Sequence, residues 1–176
     1  MDDLVRAALV KWPNVPDCRG WLALDARGEW FMRDDRCQAA GPFPQSKGSQ
    51  ILHDKLRGFI ERNYEADAEG CWFFQNGPQR VYVELEAAPV VWRLSRPDGT
   101  LLIHSHAGQA AHHRHSWLDE QGRLFLETDQ GFGLVHSMDM ALAADEVEAG
   151  RWQPGEMAFA DMAGHFGYVL SPAARA

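Results

Sequence analysis

Cysteine is scarce in this 176-residue chain, occurring only at positions 18, 37 and 71. The number is odd and the spacings are wide, so there is no CxxC pair and no zinc-ribbon pattern; reduced thiols are expected. Long apolar runs are also missing. No stretch approaches the roughly 20 apolar residues of a membrane span. The opening MDDLVRAALVKWP is acidic at its start, and Arg6 interrupts its apolar run, so neither a signal peptide nor a membrane partner is expected. A cytoplasmic location follows as the expectation. Basic residues are few: 17 Lys and Arg face 25 Asp and Glu, for a formal net charge of −8. With no basic block to track a phosphate backbone, a nucleic-acid partner is not expected. The catalytic signatures are absent too, with no Ser-His-Asp motif, no HExxH and no phosphate-binding glycine loop.

What the chain does have is apolar and aromatic content. Hydrophobic residues make up 45%, including seven Trp and nine Phe, enough for a substantial core. One short unit recurs along it. Asp25–Met32 (DARGEWFM), Asp67–Phe74 (DAEGCWFF) and Asp119–Leu126 (DEQGRLFL) share Asp-x-x-Gly followed by an apolar run, and Pro97–Ile103 (PDGTLLI) is a shorter version. An Asp at the head of such a turn accepts backbone N–H groups further on, and Gly at its end takes positive φ without a Cβ clash. Each copy therefore predicts a chain reversal between two antiparallel strands. Asn76-Gly77 predicts a further hairpin into RVYVELE, where Val81, Val83 and Leu85 alternate with polar neighbours.

One amphipathic helix is predicted over about 49–64. Ile51, Leu52, Leu56, Phe59, Ile60 and Tyr64 share a stripe, with Ser49 to cap its start and Asn63 to end it. Shorter helices are expected at Asp3–Lys11 and at Ser137–Ala149, and HFGYVLSP is expected to form a last strand ended by Pro172. The fold class is accordingly α+β and mainly antiparallel. An α+β subdomain spanning 1–88 is expected to pack closely on a β-roll subdomain spanning 89–176.

The segments WPNVPDCRGWLALD, FIERNY, WFFQNGPQRVYVELEAAPVV and FGYVLSP resemble a proteobacterial family known only as a domain of unknown function. More distantly, the order of a Gly-x-Trp strand, a helix, an Asp-x-x-Gly-x-Trp strand and VYVELEAAPVV resembles a second bacterial family of the same standing. That second resemblance implies two small subdomains built from repeated motifs, and a role in signal transduction. Neither resemblance supplies catalytic residues.

The local anomaly is HSHAGQAAHHRH, with five histidines between positions 104 and 115. If its flanks pair as a hairpin, His104 and His106 face His115 and His113 across it, with opposed Cβ atoms about 5 Å apart. Four imidazoles so placed suit zinc, nickel or copper, and a metal-dependent hydrolase would follow. No carboxylate or thiol lies among them, so an exposed loop that titrates near pH 6.5 is the favoured alternative, and no cofactor is expected. Other candidates for contact with a small ligand are Trp12, Trp21 and Arg19, around the Pro-rigid PNVPDCRG, and Asn76, Gln79 and Arg80 in QNGPQR. Arg80 suits a carboxylate or phosphate, or equally an ion pair with an acidic neighbour. Trp30, Trp72 and Trp117 are better explained by packing than by a stacking platform. The leading functional expectation is a binding or regulatory module without catalytic activity, presenting its loops and a groove between its halves to a small molecule or protein partner.

Overall fold

A computed structural model describes residues 1–175. The chain divides into two compact units, with the break between Glu86 and Ala87. Residues from Gly167 onward join the first unit, and Ala26–Gly28 join the second. The tail returns to the first unit through backbone bonds. Val169 N–H donates to Gly70 O, Leu85 N–H donates to Leu170 O, and Ala173 N–H donates to the buried Glu84 carboxylate.

The first unit begins with α1 (Asp3–Lys11) and the hairpin β1 (Cys18–Leu24) and β2 (Trp30–Met32). Next come α2 (Asp35–Ala40), the two-residue β3 (Ser49–Gln50) and α3 (Asp54–Arg62). A meander of β4 (Tyr64–Ala66), β5 (Trp72–Asn76) and β6 (Gln79–Leu85) completes one sheet in the order β3-β2-β1-β6-β5-β4. Neighbours are antiparallel except β1 and β6, which run parallel at the centre. Burial follows the pleat. Leu24, Trp30 and Val83 are buried on the face that α3 covers, while Phe73, Tyr82 and Cys71 pack with Val169 on the other.

The second unit repeats this plan. It contains β7 (Val90–Ser95), β8 (Leu102–Ser105), β9 (Ala110–Ala111), β10 (His113–Leu118), β11 (Leu124–Thr128) and β12 (Gly131–Val135). Then follow α4 (Met140–Glu148), β13 (Gly155–Glu156) and α5 (Phe159–Phe166). The sheet order is β13-β10-β11-β12-β7-β8-β9. Read from β9, its first six strands match the first sheet in order, with β7 and β12 as the central parallel pair and β13 added at the far edge. The recurring turns occupy matching places. Asp25–Gly28 and Pro97–Gly99 reverse the opening hairpins, and Asp67–Gly70 and Asp119–Gly122 reverse the first hairpins of the meanders. Gly28, Gly70, Gly99 and Gly122 all lie at φ between 75° and 80°. The local chemistry is as expected: Asp67 Oδ1 accepts from the Glu69 and Cys71 N–H groups, and Asp119 Oδ1 accepts from those of Gln121 and Arg123. This sheet is buried on both faces. Trp92, Leu124, Leu126 and Trp152 form one core, and Phe125, Phe132, Phe159 and Phe166 stack in the other.

Several local expectations need correction. The central helix starts at Asp54 rather than Ser49, which lies in β3. Its cap is His53, whose Nδ1 accepts from Leu56 N–H, and Asn63 ends it as expected. In the second unit the helix expected at Ser137–Ala149 forms as α4, and a further helix, α5, which was not expected, follows it. The tail forms no strand; His165 and Phe166 end α5, and Pro172 opens a 3-10 turn instead of ending an element.

Candidate functional site

On the α3 face of the first sheet, β1, β6 and β5 bring Cys18, Val81 and Phe74 abreast through the registers Cys18↔Val81 and Phe74↔Val81. Leu22 and Met32 are likewise opposed across β1 and β2. The amphipathic α3 crosses part of this floor, burying Ile60 and setting Phe59 edge-on to Phe74 with centroids 5.4 Å apart. Beside the helix, the floor remains open as a groove of about 240 Å³. Met32, Ile51 and Leu56 extend it into an adjoining depression of about 340 Å³, whose rim carries Ser49, Gln50 and His53. Its walls leave large apolar side chains in contact with water: Trp21 is 39% exposed, Met32 50% and Leu56 38%.

The chemistry of the groove is that of contact. Burial pushes the Cys18 thiol above its ordinary value, which favours the neutral thiol over the thiolate. Asn76 supplies the amide among otherwise apolar walls. An apolar cleft with few polar groups is the usual make-up of a small-molecule site, the polar groups fixing orientation.

Two of the six ligand-contact candidates named by the sequence, Trp21 and Asn76, meet in this groove. The others do not. Trp12 is half exposed with Lys11 Nζ 4.5 Å above its ring. Gln79 braces the proline loop by donating to Pro16 O at 3.0 Å. Arg19 lies over Tyr82 and Arg80 over Phe73, on the opposite face of the sheet. Met32, Leu56 and Phe74 were not among those candidates. The helical stripe marked Leu56 as apolar, but an incompletely covered floor is a tertiary property with no local signature.

The four candidate metal-binding histidines are dispersed. β8 pairs with β7 and β9, whereas β10 pairs with β11 and β13, so the postulated hairpin between the two histidine segments does not form. The four reversing turns already commit each strand elsewhere. His104 stands opposite Arg93 and Ala110. His106 is clamped to Val91: its ring Nδ1 accepts from Val91 N–H at 3.2 Å, while its backbone N–H donates to Val91 O at 2.7 Å. Burial holds its pKa down at about 4. A bulge separates the other two, since His113 opposes Thr128 but His115 opposes Glu127. The extra residue turns His113 onto the buried face beside Ser116 and leaves His115 exposed. Among the described residues, no group of three or more His, Cys, Asp or Glu side chains stands together to hold a metal ion. Nor does any described helix have the length and apolarity to cross a membrane.

The family model of DUF2944, described as a protein of unknown function (DUF2946), matches residues 1–173. The chain belongs to the DUF2944 family. Solved structures similar to this DUF2944 protein include two DUF1285 family proteins. The one from Silicibacter pomeroyi DSS-3 matches with a TM-score of 0.50 at 14% identity, over 82% of this chain and 84% of the other. The one from Shewanella baltica OS155 matches with a TM-score of 0.45 at 14% identity, over 72% and 91%. At such identity the likeness to the former concerns the fold alone. No curated protein matches this DUF2944 chain.

Proposed function

We propose that this DUF2944 protein is a cytoplasmic binding module whose ligand is a small amphipathic molecule held in the first unit. The apolar body lies in the groove over Cys18, Leu22 and Phe74, and the polar end reaches the rim at Ser49, Gln50 and His53. One observation carries this reading: Trp21, Met32 and Leu56 converge, partly exposed, on one concave apolar surface. Large apolar side chains gathered in a cleft are costly to leave wet, at roughly 25 cal/mol per Å², and mark a recognition site more often than an ordinary surface. The comparison between the two repeats supports it. In the first unit α3 stands between β3 and β4 and walls the groove, whereas β9 and β10 are joined through His112 alone. The signalling role implied by the second resemblance is consistent with a site that binds without transforming its ligand, ligand occupancy being the signal.

The test is titration of the intact protein with 1-anilinonaphthalene-8-sulfonate, followed by displacement with decanoate. Saturable binding of one probe per chain, displaced by decanoate and reduced at least tenfold in Leu56→Glu, is expected. Leu56 is exposed enough for this variant to fold, which its circular dichroism spectrum checks. Binding that fails to saturate, or that Leu56→Glu leaves unchanged, overturns the reading.

A further inference from the structure

The face of the first sheet opposite the groove carries a second constellation. Phe73 and Tyr82 are cross-strand partners with ring centroids 5.8 Å apart, and both are buried. The Arg19 guanidinium carbon lies 4.0 Å from the Tyr82 centroid, and that of Arg80 lies 4.7 Å from the Phe73 centroid. Two guanidinium groups are thus seated on one pair of adjoining rings. A guanidinium over an aromatic ring is held there by cation–π attraction, and its remaining N–H groups can still grip an oxyanion.

The neighbouring Asp67 carboxylate feels the Arg80 charge, and Arg80 also reaches the Tyr82 hydroxyl, but Asp67 forms no direct ion pair with either arginine. Asp67 accepts from the Glu69 and Cys71 N–H groups and from the Tyr82 hydroxyl, which lies at 3.0 Å. Its lone pairs are committed to its own turn and to the tyrosine. Among the described residues, neither Arg19 nor Arg80 has a carboxylate within the 4.0 Å of an ion pair; Arg19 gives one N–H to Pro172 O at 3.3 Å. Asp17 also acts on Tyr82, and Arg175 joins Arg19 in acting on Cys71, so three cations share this neighbourhood with Asp17, Asp67 and Glu69. Among the described residues, Arg93, Arg96, Arg123 and Arg151 are each held in a direct ion pair with a carboxylate, whereas the stacked Arg19 and Arg80 keep their carboxylate neighbours beyond that distance. We propose that Arg19 and Arg80, seated on Tyr82 and Phe73, form a binding site for an oxyanionic group, a carboxylate or a phosphate, independent of the apolar groove.

The experiment follows the arginine Nε–Hε resonances of the full-length protein during titration with inorganic phosphate and, separately, with succinate. Sodium chloride at matched ionic strength is the control. The expected result is a saturable shift of the Arg19 and Arg80 signals, with affinity falling at least tenfold in Arg80→Gln and several-fold in Arg80→Lys, which keeps the charge but loses the fork. Arg80 is exposed, so its variants retain the fold, as their amide spectra verify. Saturation by phosphate alone, or by succinate alone, identifies the anion within the proposal. Shifts that rise linearly in both titrations, that chloride reproduces, or that persist unchanged in Arg80→Gln overturn it.

Discussion

His113 lies flat against Trp152, with ring centroids 4.5 Å apart and planes 13° from parallel. The stack sits at the edge of the core built on Trp92 and Leu126, and His113 Nε2 is buried there without a hydrogen-bond partner among the described residues. Burial, with His115 nearby, lowers the His113 pKa, so the neutral ring is the one that stacks. Phenylalanine keeps the stack and removes the orphaned nitrogen. His113→Phe is therefore expected to match or exceed the wild type at pH 7 by up to about 1 kcal/mol, whereas Trp152→Ala loses about 3–5 kcal/mol through the cavity it opens. Urea denaturation at pH 7 measures both. A loss above about 2 kcal/mol in His113→Phe would show that a bound water satisfies the nitrogen.

The same histidine marks where local reading of the sequence stops. The three full reversals were legible because their cause is contained in four residues, an Asp that collects N–H groups and a Gly at positive φ. Asp67 and Gly70 do so within their own turn. The fold class followed from them. The bulge between His113 and His115 was not legible, because an unpaired residue becomes visible only against the opposing strand, here Thr128 and Glu127. Strict alternation placed His113 beside His115, and one extra residue parted them. The start of α3 was misjudged for a related reason: Ser49 has the chemistry of a cap, but Ser49 and Gln50 are taken up as a strand against Met32 and Phe31, and His53 caps instead. Of the residues lining the groove, Trp21 and Asn76 were sequence candidates for ligand contact, while Leu56 and Phe74 looked like ordinary core.

His106 gives the fold an acid sensitivity with a definite sign. Its pKa is about 4 when folded, against 6.5 for a free imidazole, because burial penalises the cation. Above pH 6.5 both states are neutral and stability is unaffected. As pH falls from 6.5 towards 4 the unfolded chain takes up a proton that the folded chain refuses, and stability is lost, on the order of 3 kcal/mol in full. His106→Gln retains an acceptor for Val91 N–H but does not titrate. Chemical denaturation at pH 7 and pH 4.5 is expected to show a markedly smaller loss in the variant than in the wild type. Equal losses in both would exclude His106 as a source of the acid sensitivity.

Gly70 and Gly122 occupy matching turns with nearly the same φ, +79° and +75°, yet differ in surroundings. A Cβ on Gly122 meets nothing within 4 Å, whereas one on Gly70 would lie 2.1 Å from the Gly167 carbonyl oxygen. Gly122→Ala therefore incurs only the left-handed backbone penalty, about 1–2 kcal/mol. Gly70→Ala adds displacement of the returning tail, bringing the loss to about 3–5 kcal/mol. Thermal melts of the two variants, with hydrogen exchange at Val169 N–H, which donates to Gly70 O, are expected to separate the two costs. Exchange there accelerates in Gly70→Ala and is unchanged in Gly122→Ala.

Arg33 is buried, and its charge is met by carbonyl groups rather than by a carboxylate. Its Nε donates to Ser46 O at 3.0 Å, one terminal nitrogen to Gly20 O at 3.1 Å and the other to Gly41 O at 2.7 Å. One fork thereby ties β1 to both ends of the α2 loop, and no other side chain has the geometry to do so. Lysine carries the same charge on a single nitrogen that cannot span three separated oxygens, so at least one carbonyl is left buried and unpaired. Arg33→Lys is expected to lose about 3 kcal/mol, and Arg33→Met more, since it abandons all three. The loss should be local before it is global: amide exchange across residues 41–48 accelerates in Arg33→Lys at denaturant concentrations where the α5 amides remain protected. Uniform acceleration through both units would instead mean that Arg33 supports the whole fold, and not this loop.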